Sequence, residues 1–182
     1  MGNLTFGGST GSFTPSPLNT QTTRPMIAPY WTDLDTRGAS AAAGIFINQT
    51  ADKLVVTWNQ MGYFSGNYRG SATFQLVLNN PNAVPAGEGA IGFFFGDMTA
   101  TGDYHDVTSG FGDGLPAENT GEISYARGAT VDIAPQLSQT HVWFNFANGR
   151  PIAAPVPEPE TYGMMMAGLG LLGAALRRRK QG

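Results

Sequence analysis

Cysteine is absent from the 182-residue chain, which excludes disulfides, thiol catalysis and thiolate metal sites. Charge is scarce: 13% of residues are Asp, Glu, Lys or Arg, against roughly 25% in an average soluble protein. Lys53 is the only lysine before the C-terminal tail. Residues 1–155 carry 6 basic and 11 acidic side chains. An acidic body with scattered arginines offers no stripe for a phosphate backbone, so nucleic acid is not an expected partner. A large net charge is also missing, at −3, while aromatics make up 11%; together these exclude a disordered chain. Met1 to Ser12 has neither the basic start nor the apolar stretch of a signal peptide. No window of the body shows a helical period, and no fixed-period repeat suggests a solenoid or propeller.

What the chain does hold is turn formers, 25 Gly and 12 Pro, between short runs of β-forming residues. Asn3 to Phe6 reads as a strand entering a Gly/Ser turn. Thr14 to Thr23 is Pro-, Ser- and Thr-rich and reads as loop. Gly44 to Asn48 is a compact apolar run. In Lys53 to Met61, Leu54, Val56 and Trp58 share one face and Val55, Thr57 and Asn59 the other, the period of a half-buried strand. Ala72 to Asn79 repeats this, with Phe74, Leu76 and Leu78 opposite Thr73, Gln75 and Val77. Ala90 to Phe95, Gly121 to Ala126 and Val142 to Ala147 add further strands. The expected fold is all-β, an antiparallel sandwich over residues 1–148. A Pro/Ala linker is expected over 149–155 and one short transmembrane helix in the tail.

The tail has three parts in order. Val156-Pro157-Glu158-Pro159 is extended. An uncharged stretch follows, Tyr162-Gly163-Met164-Met165-Met166-Ala167-Gly168-Leu169-Gly170-Leu171-Leu172-Gly173-Ala174-Ala175-Leu176. Arg177, Arg178, Arg179 and Lys180 close it. Fifteen residues of helix span about 22 Å, short of the ~30 Å hydrocarbon core. Tyr162 at the interface, snorkelling by Arg177 and local thinning absorb the difference. The basic cluster places the C-terminus in the cytoplasm and the body outside. Gly168 to Gly173 formally matches a dinucleotide fingerprint, but no strand precedes it and no acidic residue follows at the required distance.

These three parts resemble a PEP-CTERM protein-sorting signal. The resemblance implies an exported Gram-negative protein, held briefly in the inner membrane by its C-terminal helix. An exosortase then processes it near Pro157-Glu158-Pro159, and the body reaches the cell surface or extracellular matrix. The body is similar to nidogen-like (NIDO) extracellular domains in Ile27-Ala28-Pro29-Tyr30-Trp31-Thr32-Asp33-Leu34-Asp35-Thr36-Arg37, in Leu54 to Trp58 with Gly62-Tyr63-Phe64, and in Thr73 to Leu78. Gly110-Phe111-Gly112-Asp113-Gly114 is a looser match. That likeness implies an adhesion-type module without enzymatic activity. It also implies a signal peptide and early strands before Gly2, so the sequence is expected to begin within the domain.

Candidate chemistry is thin. Asp33 and Asp35 beside Trp31 read as a structural turn with Arg37 as counter-ion, ahead of a cation or glycan contact. Asp97, Asp103, Asp106 and Asp113, with His105, are the densest group of oxygen ligands, a weak calcium candidate without EF-hand spacing. A hydrolase built on that loop is the least supported alternative, since His105, Asp106 and Ser109 follow no organising motif. Gly7 to Gly11 matches a nucleophile elbow only formally, because no helix follows. The sequons at Asn3 and Asn48 carry no weight in a bacterial chain. No cofactor is expected. Trp31, Trp58, Trp143, Tyr63, Phe64 and Tyr68 are the aromatics available for an exopolysaccharide platform, although most aromatics at strand period belong to the core; Tyr63 to Tyr68 is the expected exposed loop.

Overall fold

The computed structural model describes residues 1–15, 18, 24–37, 40–64, 70–99, 106–113, 123–128, 132–148 and 150–154. They form an antiparallel sandwich. The small sheet has the order β1 (Gly2–Thr5), β2 (Met26–Trp31), β8 (Val107–Gly112), β9 (Ile123–Gly128). The large sheet runs β11 (Arg150–Ala153), β10 (His141–Ala147), β7 (Ile91–Met98), β6 (Ser71–Asn79), β5 (Lys53–Tyr63), β3 (Leu34–Asp35), with β4 (Gly44–Gln49) also paired to β5. A single turn of helix, α1 (Ala134–Leu137), precedes β10 and packs Ile133, Ala134 and Leu137 into the core.

The period-2 strands fold as their patterns require. Val56 and Trp58 of β5, Ala72, Phe74 and Leu76 of β6, and Ile91, Phe93 and Phe95 of β7 all face the small sheet. Ile27 and Tyr30 of β2, and Val107 and Phe111 of β8, meet them from the other side. The contact is largely aromatic. Trp58 stacks on Phe74 at 4.9 Å, Phe93 stacks on Phe111 at 5.2 Å, and Phe144 meets both Phe93 and Phe111 edge-on.

A bulge changes the parity of β5. Its pairing with β6 shifts between Trp58 and Met61, and Gln60 takes a positive φ of 48°. Met61 and Tyr63 therefore turn into the core rather than onto the outer face. There the Tyr63 and Tyr30 hydroxyls hydrogen-bond at 3.0 Å.

β2 was not evident as a strand because it is buried on both faces. Met26, Ala28 and Trp31 form a second cluster with Leu18 outside the small sheet, and Trp31 Nε1 donates to the Ser12 carbonyl at 3.2 Å. Pro29 sits where the β2–β8 register breaks between Ala28 and Trp31, so its missing N–H interrupts no regular ladder. The 149–155 linker expectation is corrected: Arg150–Ala153 pairs with β10, with Phe146 opposite Pro151. A Pro-containing strand at a sheet edge needs no inward N–H at that residue. The expected transmembrane helix lies outside the described residues; among them, no helix is long and apolar enough to cross a membrane.

Burial raises the Tyr30 hydroxyl well above its ordinary range, and burial chiefly holds that of Tyr63 at about 12. An acid whose folded pKa exceeds its unfolded value near 10 stabilises the fold below that value and loses this as pH rises through the folded one. Resistance of the native chain to urea should therefore weaken between pH 10 and about 12. The Tyr30→Phe/Tyr63→Phe double variant should be nearly as stable at pH 8, because both polar partners leave together. Its stability should fall less over the same alkaline window; an equally steep fall would remove the pair from this account.

Candidate functional site

The strand register lays two rows of side chains across the outer face of the large sheet. One runs Phe46–Thr57–Gln75–Phe94–His141, each residue opposite the next on the neighbouring strand. The other runs Asn48–Val55–Val77–Gly92–Trp143. Trp143 is buried on this side because Gly92 leaves room beneath it. A Cβ on Gly92 would lie 2.6 Å from the Trp143 ring and 2.7 Å from that of Phe94. Phe94 meets Trp143 edge-on at 5.1 Å and stacks on His141 at 5.4 Å.

Beside this aromatic group opens a shallow groove of about 280 Å³, lined by Thr73, Gln75, Phe94, Gly96, Gln139 and His141 among others. Its amides are held in place. Gln75 Nε2 donates to Thr57 Oγ1 at 2.9 Å, and Gln139 Nε2 donates to Asp97 Oδ1 at 2.8 Å. The groove thus offers an aromatic edge, an imidazole and fixed amides, the polar and apolar combination that orients a small neutral ligand. Sequence reading placed Phe94 in a strand but gave no reason to single it out; the four-residue match of β10 to β7 brings it to His141.

The expected aromatic loop is corrected at Tyr63. Tyr63 is buried and bonded to Tyr30, so it lines no surface. Trp31, Trp58 and Trp143 are also buried, Phe64 is exposed, and Tyr68 lies outside the described residues. Among the described residues the hydrolase constellation is not assembled either. Ser109 is fully buried within β8, out of a substrate's reach, and His105 lies outside the described residues.

Two of the candidate oxygen ligands also separate. Asp106 and Asp113 stand at opposite ends of β8, roughly 20 Å apart at the rise of an extended strand, too far to share one calcium ion. Asp97 is engaged by Gln139, and Asp103 lies outside the described residues. Among the described residues no group of three or more His, Cys, Asp or Glu converges.

Asp35 behaves as the turn reading requires. Its carboxylate accepts from the Arg37 backbone N–H at 2.8 Å and from the guanidinium at 2.7 to 3.1 Å. The bonds from Arg37, side chain first and then backbone, hold its pKa down at about 2. A depressed carboxylate stabilises the fold above its unfolded pKa near 4 and loses this as pH falls through the folded one. Arg37→Gln should therefore reduce stability at pH 7 modestly, since the guanidinium end of the pair is 75% exposed although Asp35 itself is buried. It should also flatten the acid limb between pH 4 and about 2. An unchanged limb in acid titration followed by tryptophan fluorescence would refute the assignment.

Comparison with known proteins adds two matches. A family model described as NIDO related covers residues 1–143. A second, described as the PEP-CTERM protein-sorting motif, covers residues 155–180. No curated protein and no solved structure matches the chain.

Proposed function

The chain belongs to the NIDO-related family and carries a PEP-CTERM protein-sorting motif, and from that premise we propose that it is a non-enzymatic, adhesion-type protein of the cell surface or extracellular matrix. The motif implies exosortase-dependent export and targeting to the cell surface. Neither matched family is an enzyme family.

The single observation that carries the reading is the three-part tail, in the order that sorting demands. Val156, Pro157, Glu158 and Pro159 form the segment an exosortase recognises and cuts. Residues 162–176 are the temporary inner-membrane stop, and Arg177 to Lys180 hold it from the cytoplasmic side. The sandwich is the cargo released to the outside. Replacing Pro157, Glu158 and Pro159 by alanine should leave the tail attached and the protein in the inner membrane. The intact mass of the native and variant proteins from the host reads this directly. A variant trimmed as efficiently as the native chain would overturn the sorting roles.

A second reading, binding of the matrix polysaccharide, is favoured by the groove at Gln75, Phe94, Gln139 and His141. Its fixed amides and aromatic edge suit the hydroxyls and C–H faces of neutral sugars. On this reading Phe94→Ala weakens retention on host exopolysaccharide about tenfold, the effect of losing roughly 1.4 kcal/mol. Unchanged retention in affinity electrophoresis, with the far-UV spectrum preserved, would dispose of it.

A further inference from the structure

Strand β4 is an edge built unlike the others. Its central residues Ile45, Phe46 and Ile47 are 50%, 56% and 70% exposed. Ile45 and Ile47 oppose Trp58 and Val56 and so lie on the core side of the sheet. Trp58 and Val56 are covered there, whereas the two isoleucines are not. Phe46 stands on the outer side, opposite Thr57. Apolar side chains are therefore uncovered on both faces of one six-residue strand.

The backbone of β4 is also open. Thr50 N–H donates to the Lys53 carbonyl at 2.9 Å. Antiparallel alternation then directs the hydrogen bonds of Gly44, Phe46 and Asn48 toward β5. The N–H and C=O groups of Ile45, Ile47 and Gln49 point out of the sheet, and among the described residues none bonds them. Such an edge is normally blunted by charge, proline, a bulge or brevity. No charged residue lies between Arg37 and Asp52, and the β4–β5 register is unbroken. The other edges carry such devices: Pro151 in β11, a register shift in β1 and another where β9 pairs with β8, two residues only in β3.

We propose that β4 pairs antiparallel with β4 of a second copy about a twofold axis through Phe46. Three features select a copy of this chain over another partner. The apolar triad is symmetric about Phe46, so Ile45 meets the partner's Ile47, Phe46 meets the partner's Phe46, and every central pair is apolar. The strand is neutral, so two copies meet without like-charge repulsion. The outward groups of Ile45 and Ile47 fall on the hydrogen-bonded positions of that register, giving four backbone bonds across the axis. A twofold contact closes on itself and stops at a dimer. This inference goes beyond the sorting and adhesion reading and does not depend on it.

The absence of native cysteine makes the test clean. At the axis, Phe46 faces its own copy at a non-hydrogen-bonded position, with Cα atoms about 4.5 Å apart, within disulfide range. The full chain with Phe46→Cys, in mild detergent under oxidising conditions, should give a disulfide-linked dimer. Asn48→Cys faces the partner's Gly44 and should remain largely unlinked. Sedimentation of the native chain from about 1 to about 100 µM, the range for a small interface, should show a monomer–dimer equilibrium. Ile47→Lys should weaken it about tenfold or more. All three positions are exposed, so these variants should keep the native far-UV spectrum. An unlinked Phe46→Cys chain, equal linking of Asn48→Cys, a purely monomeric native chain, or a dimer indifferent to Ile47→Lys would each overturn the proposal. The last of these would instead locate association in the C-terminal tail.

Discussion

The structure depends on an aromatic seam between its two sheets. Trp58 and Phe74 stack in one part of it, and Phe93, Phe111 and Phe144 interlock in another. Tyr30 and Tyr63 join across the sheets through their hydroxyls. With no cysteine available, nothing covalent ties the sheets together. A module that its sorting motif targets to the cell surface must hold by packing alone. Large flat side chains suit that task, because each buries about 150–250 Å² and ring pairs add directional contact.

That seam explains which parts of the fold were legible in the sequence. β5 and β6 alternate because one face meets the seam and the other lies outside, and alternation is what a reader of sequence detects. β2 does not alternate, since the seam covers one face and the Leu18–Trp31 cluster the other. Its proline further disguised it, although the register break at Pro29 resolves that conflict. β8 is buried throughout and Gly-containing, so it gave no period either. β11 was hidden by Pro151, which marks an edge strand as well as it marks a linker.

The candidate surface shows the same limit. Counting by twos from Trp58 places Tyr63 on the outer face, but the bulge before Met61 reverses the parity and sends its ring inward. No local signal announces that reversal, because it arises from pairing with β6. The outer face is instead assembled by register. Phe94 and His141 are 47 residues apart in sequence and meet only because β10 lies against β7. Sorting is the opposite case. Its signal is contiguous and written in composition and order, so the sequence suffices to recognise it.

Address and cargo are therefore independent in physical terms. On the proposed reading the tail acts through hydrophobicity, a Pro-Glu-Pro break and a block of positive charge, none of which needs the sandwich. The sandwich gives up charge almost entirely on its exposed edge and much of its outer face, presenting Phe46, Thr57, Gln75, Phe94 and His141 in one row. Low charge makes an isolated protein prone to association. It also removes the repulsion and the desolvation cost that would oppose contact with a neutral polymer or an identical chain. A surface poor in ions but rich in amides, hydroxyls and aromatic edges is thus better suited to short-range, contact-driven recognition than to long-range electrostatic capture. That property fits a protein that is delivered to its site by an address rather than drawn there by its own field.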